Sequence, residues 1–374
     1  MPHSIASARH LYVHVPFCRR RCSYCDFSIA VRKDVPAQEF STLVGQELGR
    51  RIEVGNPVEL DTLYFGGGTP SQLGPAGVSF LVGQIQASGA RLAPGAEVTL
   101  EANPEDFAPG SAGGWVAAGV NRLSVGIQSF HGPVLEWMHR GHSPDEAGAA
   151  VLAARRAGID NISIDLIFGL PERLGRNWAD DLARAIDLGP DHISLYALTV
   201  EPRTPLGRWT ARGAESAPSD DRQADEFMAA REALGSAGWE HYEVSNYARP
   251  GRRSRHNSAY WRRVPYIGLG PSAHSFDGQT RRWNTDAFAA WATQVRAGTD
   301  PVAGDELVSD DQRRAELAYL GLRTDAGAAL SGADLDRARL WAREGWAVVE
   351  GSHVRLTASG WLRLDALAAQ LGGT

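Results

Sequence analysis

The chain has 374 residues, 43% of them hydrophobic and 22% charged, with a formal net charge of −6 at pH 7. At roughly 150 residues per domain, that length allows two or three domains, or one large barrel with an appendage. The composition excludes a disordered, collagen-like or disulfide-scaffold chain, and the acidic balance gives no reason to expect a nucleic-acid partner.

No apolar run approaches the roughly 20 residues that span a bilayer. The first ten residues, MPHSIASARH, lack the apolar stretch of a secretory signal, so the expected compartment is the cytosol. Lys33 is the only lysine. Arginine supplies nearly all the basic charge, so arginine clusters carry little weight by themselves.

LYVHV at 11–15 opens a series of short apolar runs rich in β-branched residues, which predict strands. The others are TLYF at 62–65, EVTLEA at 97–102, RLSVGI at 122–127, ISIDLIF at 162–168 and HISLYAL at 192–198. Amphipathic segments between them, such as Gln38 to Ile52, Ala147 to Ala157 and Trp178 to Ile186, predict helices. Six βα units in series require a parallel sheet with right-handed crossovers. An open doubly wound sheet and a partial or full parallel β/α barrel both satisfy this. Polar residues recur at the carboxyl ends of several successive strands, which favours the α/β barrel, because barrel sites are assembled that way. An open sheet would gather them at one switch point.

After Val200 the pattern loosens. A helical stretch near Arg222 to Ala237 leads into EHYEVSNYA, an arginine-rich loop and YIGLGPSAHSF. From about Leu307 the chain reads as helix, hairpin across Gly351 and Ser352, then helix, which predicts a small winged-helix-like C-terminal domain. The expected division is a barrel with its extension over 1–300 and the small domain over 301–374.

The only cysteines are Cys18, Cys22 and Cys25. An odd number at C-x3-C-x2-C spacing is a poor disulfide framework and a good metal-thiolate signature in a reducing compartment. Three thiolates leave a metal site one ligand short. Zinc would take His14 or a carboxylate as its fourth ligand, whereas a 4Fe-4S cubane would keep its fourth iron open. Spacing alone leaves both readings standing. Arg19, Arg20 and Arg21 in the loop either favour the thiolate state and offset cluster charge or are simply solvated.

FGGGTP at 65–70 ends a strand with three glycines, which permit a tight turn or close backbone approach to a ligand. Asp165 lies within ISIDLIF, where a carboxylate is expensive to bury without a partner. It is either a site residue or half of an ion pair between barrel layers.

The loop HVPFCRRRCSYCDF, with Tyr12 six residues ahead of Cys18, resembles the radical S-adenosylmethionine (SAM) superfamily, in which such a loop follows the first barrel strand. ANPE after Glu101, IQSF around Gln128, Arg140 twelve residues later and DLIFGLP from Asp165 are similar to the anaerobic coproporphyrinogen III oxidase family. The resemblance implies a 4Fe-4S cluster on Cys18, Cys22 and Cys25. It also implies a SAM site lined by Tyr12, Gly67, Gly68, Thr69, Glu101, Gln128, Arg140 and Asp165. Arginine, amide and carboxylate groups suit a molecule that presents a carboxylate, an ammonium and a ribose diol. For Arg140, a surface helix position is the competing reading.

Two functions compete within that family: oxidative decarboxylation of coproporphyrinogen III, and haem chaperoning, in which haem is bound and passed to a membrane or respiratory acceptor. The oxidase motif has a further cysteine two positions after the third ligand, where this chain has Phe27, and a long segment before the first strand, where ten residues precede Leu11. RHNSAYW at 255–261 resembles the HNxxYW signature of the HemW group of haem chaperones. That resemblance implies His256 as a haem ligand, with Tyr260 and Trp261 as flat surface and Arg252, Arg253, Arg255, Arg262 and Arg263 as propionate partners. His274 in GPSAHSF is a second candidate ligand. The competing reading has His256 hydrogen-bonding within a loop while Tyr260 and Trp261 fill core. A homodimer is among the assemblies the resemblance allows, and a zinc-stabilised binding module is the third functional reading.

Overall fold

The computed structural model describes residues 8–52 and 56–372, so most of the segment preceding Leu11 lies outside the described residues. Among the described residues, nine strands form one sheet. They are β1 (His10–Val15), β2 (Val58–Gly67), β3 (Ala90–Ala102), β4 (Arg122–Gln128), β5 (Asn161–Phe168), β6 (His192–Ala197), β7 (Glu240–Glu243), β8 (Asn246–Ala248) and β9 (Ile267–Leu269). The spatial order is β9-β1-β2-β3-β4-β5-β6-β8-β7. From β9 to β6 every pairing is parallel, while β8 runs antiparallel to β6 and to β7. The edge strands β9 and β7 do not pair, so this is a partial barrel of six βα units extended at both edges.

Helices Ala37–Arg51, Gly74–Ala87, Ser111–Ala117, Pro144–Arg156 and Trp178–Leu188 form the crossovers, and Asp220–Ser236 follows β6. Local chemistry fixes where they start. Helix Pro144–Arg156 opens on a reciprocal capping box between Ser143 and Glu146, with proline and acids in its first turn and arginines in its last. That satisfies orphan amides and complements the helix dipole.

Strand alternation divides the sheet into two chemically different faces. Leu11, Val13, Leu63, Val98, Leu100, Leu123, Val125, Ile162, Ile164 and Ile193 are at most 1% exposed and make the apolar face of the core that the helices cover. The opposite face is polar. His10 meets Thr62, Tyr64 meets Glu101, Ser124 meets Asp165 and Ser163 meets His192, each across neighbouring or near-neighbouring strands. Barrel interiors are more often packed with branched aliphatic side chains. A polar interior implies a site reaching into the barrel.

Beyond β9, strands His274–Phe276, Thr280–Asn284 and Val302–Leu307 form an antiparallel sheet that continues past residue 300. The last segment has strands Ala328–Ala329, Ala347–Glu350 and His353–Leu356, with helix Gly332–Arg343 before the hairpin and two short helices after it. No helix of the described residues is long and apolar enough to cross a membrane.

Candidate cofactor site

The cysteine loop leaves β1 through Pro16 and is closed at its base by a two-residue parallel pairing, Phe17 with Ala30 and Cys18 with Val31. Ala30 N–H donates to the Pro16 carbonyl at 2.7 Å and Arg32 N–H to the Cys18 carbonyl at 2.9 Å. The loop is also tied to the β4–β5 connection, where Ser23 N–H donates to Met138 O at 3.1 Å. All three cysteines are unpaired and partly exposed.

The glycine segment ends β2 directly beneath this loop. Gly68 and Thr69 donate backbone N–H groups to Val15 O and Phe17 O, each at 2.8 Å. A side chain at Gly68 would meet the Pro16 and Phe17 backbone at 2.7–2.9 Å. Gly67 has φ 108° and would place a Cβ against the His14 ring at 2.6 Å. These positions therefore require glycine for close approach of loop and strand.

A cavity of about 420 Å³ opens at the carboxyl ends of the strands. The structure brings Cys18, Cys22, Cys25, Gly67, Gly68, Thr69, Glu101, Gln128, Arg140 and Asp165 together on its wall. Gln128 sits at a register shift between β4 and β5 with φ 69°, a conformation that costs a non-glycine residue about 1–3 kcal/mol and clusters at functional sites. Tyr12 is the exception: it does not line this cavity and instead places its hydroxyl 3.2 Å from His14 Nδ1.

Arg140 is half-buried in the cavity wall rather than on a surface helix. Its Nη2 donates to Asn103 Oδ1 and to Gly126 O, both at 2.6 Å, and its Nη1 lies 3.6 Å from Cys22 Sγ. Its Nε has no partner. The loop arginines divide unequally. Arg19 lies 3.4 Å from Asp106 and Arg21 donates to Cys25 O, whereas Arg140 brings its guanidinium to within 3.6 Å of the Cys22 sulfur. Burial pushes the Cys18 thiol up to about 11, against the lowering effect of its contact with Thr69, 3.4 Å away.

Sequence reasoning missed Asn103, Glu105, His142 and Tyr24. His142 reads as a histidine without context, yet it is buried between Glu105 Oε2 at 3.2 Å and Ile127 O at 3.1 Å. Burial raises the Glu105 carboxyl, but His142 and the Arg140 charge together take it down to about 2. The usable signal for Asn103 and Glu105 was their place in ANPE, immediately after the strand carrying Glu101.

Asp165 has no ion pair among the described residues, which removes the reading of a bridge between barrel layers. It takes a hydrogen bond from Ser124 Oγ at 3.2 Å, and burial raises it to about 6 against the effect of Ser194 and Ser124. Glu101 accepts from Tyr64 Oη at 2.9 Å and Gly67 N–H at 3.0 Å, yet burial raises it to about 7. A carboxyl whose folded value is raised contributes stability below its unfolded value of 4.5 and loses it as pH rises through 7. Glu101→Gln should therefore match wild type near pH 4 and exceed it at pH 8, by on the order of 3 kcal/mol. Buried imidazoles titrate in the opposite sense, so the wild-type minus variant difference in thermal melts isolates this group. A difference independent of pH would contradict it.

The donor set can be tested against both metal readings. His14 Nε2 donates to Ser28 O at 2.9 Å and its Nδ1 faces Tyr12, so it does not complete a zinc shell. Among the described residues, no three His, Cys, Asp or Glu groups converge on a single ion. Three thiols spread along one cavity wall fit a cubane, in which three irons each take one thiolate and the fourth stays open.

The structure places His256 in the interior. It lies in helix Arg255–Trp261, 1% exposed, with Nδ1 2.6 Å from Thr62 Oγ1 and Nε2 2.8 Å from Tyr260 Oη. Its ring packs 5.1 Å from that of Tyr64. With both nitrogens engaged, it offers iron no lone pair in this conformation.

Residues 12–185 match the Radical SAM superfamily. "Heme chaperone HemW" of Mycobacterium tuberculosis is 38% identical over 373 residues, which is 97% of this chain and 94% of that protein. The chain belongs to the HemW family of the radical SAM superfamily. "Heme chaperone HemW" of Synechocystis sp. is 39% identical over 84% of this chain and 78% of its own length. Among solved structures, the coproporphyrinogen III oxidase HemN of Escherichia coli superposes with a TM-score of 0.82 at 23% identity, covering 97% of this chain and 91% of that one. That likeness establishes the shared HemN-type fold.

Proposed function

We propose that this HemW-family protein is a haem chaperone that carries a 4Fe-4S cluster on Cys18, Cys22 and Cys25, binds SAM beside it, and delivers haem to an acceptor protein. The observation that carries the choice over decarboxylation is Phe27. It lines the cysteine cavity and is 61% exposed, at the position where the oxidase motif has its further cysteine. The two HemW relatives, alike over most of the chain, support the same choice.

A cluster held there would supply one-electron chemistry and an open iron for a chelating ligand. The chain's own groups suit SAM as that ligand. The Arg140 guanidinium matches its carboxylate, while Glu101 and Asp165 match its ammonium and ribose hydroxyls. Gly67 and Gly68 let the backbone come close.

Two assays on the reduced, cluster-loaded protein decide the function. Titration with haemin should give a saturable Soret shift, and incubation with SAM and coproporphyrinogen III should give no protoporphyrinogen IX. Turnover to protoporphyrinogen IX would make it an oxidase.

A further inference from the structure

We infer that an iron porphyrin lies in the cleft between helix Arg255–Trp261 and the helices Asp310–Leu322 and Leu364–Ala368, with Arg263 and Arg281 taking its carboxylates in exchange for Glu316. The inference rests on the haem-binding reading above and gives it a place.

The cleft measures about 680 Å³, inside the range of about 300–1,000 Å³ typical of sites for small organic ligands. It shares no lining residue with the cysteine cavity. Its walls carry Tyr260, Trp261, Tyr266, Phe276 and Tyr319, aromatic surface suited to a flat macrocycle. The motif that pointed to His256 therefore faces the cleft through its tyrosine and tryptophan. The histidine stands behind, holding the Tyr260 hydroxyl at 2.8 Å.

Two buried donors on this wall, Trp261 Nε1 and Arg263 Nη2, have no hydrogen-bond partner, and the Arg263 side chain is only 10% exposed. Buried donors left unpaired are rare and call for a missing acceptor. The cleft already shows what that acceptor is. Arg263 Nε donates to Glu316 Oε2 at 2.7 Å, and Arg281 Nη2 donates to Glu316 Oε1. Two guanidiniums sharing one carboxylate form a site for carboxylates, with Glu316 as its built-in occupant. A porphyrin presents two such groups on one edge of an apolar disc. No imidazole, thiol or thioether lines the cleft, so recognition runs through ring faces and carboxylates rather than through the metal.

The test titrates haemin, metal-free protoporphyrin IX and its dimethyl ester into the cluster-loaded full chain, with cluster content and circular dichroism as fold controls. Haemin and protoporphyrin IX should bind wild type alike, and the diester about tenfold or more weakly, as expected for loss of charge-assisted hydrogen bonds. Arg281→Gln should weaken both acids by a similar factor. Glu316→Gln, which removes the competitor, should tighten them several-fold. Ala315→Trp, an exposed position on the cleft wall, should block them without touching the core. If wild type binds haemin and all three variants match it, the cleft is wrong and the chaperone reading stands; loss of binding in His274→Ala would then place haem at that exposed imidazole. Absence of haemin binding to wild type would overturn both.

Discussion

Cys22→Ala is expected to leave a folded protein that no longer assembles its iron–sulfur cluster, with iron and sulfide falling from about four each per chain to near zero after anaerobic reconstitution. Two thiolates cannot hold three irons of a cubane, and no other cysteine exists in the chain to replace the lost one. The fold should survive because Cys22 lies in a loop whose base is closed by the Phe17–Ala30 and Cys18–Val31 pairing, outside the buried core. The substitution also removes the sulfur beside Arg140 Nη1, while both Arg140 Nη2 bonds, to Asn103 and Gly126, remain. Iron and sulfide analysis beside far-ultraviolet circular dichroism checks this. Full cluster content in the variant would mean that the cysteine trio is not the ligand set.

The largest effect on stability is expected at Glu47. This carboxylate, 1% exposed within helix Ala37–Arg51, collects four donors, three of them from distant parts of the chain. Gly270 N–H donates at 2.9 Å, Asn284 Nδ2 at 2.7 Å, Trp291 Nε1 at 3.0 Å, and Arg51 pairs with it as well. It thereby pins the first crossover helix to β9's exit and to the antiparallel sheet beyond. Glu47→Ala strands these donors and leaves the Arg51 charge unpaired in the interior. Removing one partner from such a buried pair costs about 3–5 kcal/mol, a large share of the 5–15 kcal/mol that holds a typical domain together. The midpoint of urea unfolding should fall accordingly, and Glu47→Gln, which keeps shape and one acceptor, should fall by less. A variant with an unchanged midpoint would show that Glu47 is not this hub.

The contrast between Cys22 and Glu47 explains what could be read in advance. The six βα strands were legible because each carries its alternation locally: Leu11, Val13 and Val15 face one way, and His10, Tyr12 and His14 the other. The cavity beside the cysteines was legible for a related reason. In a parallel barrel the strands' carboxyl ends converge, so polar residues scattered at 18–25, 67–69, 101, 128, 140 and 165 meet on one wall. Glu47 offered no such signal, since a glutamate in an amphipathic helix looks like any solvated charge, and three of its partners lie more than 220 residues away. His256 shows the opposite case. Its motif drew attention to the imidazole, but Thr62 lies 194 residues away in sequence and only the closed fold shows that both nitrogens are taken.

Electron paramagnetic resonance of the anaerobically reconstituted, reduced protein, recorded with and without SAM, tests the cluster account most directly. A 4Fe-4S signal that changes when SAM is added is the predicted result, because three cysteine ligands leave one iron able to take it. A protein that retains zinc but no sulfide, or a cluster signal that SAM leaves untouched, would contradict it.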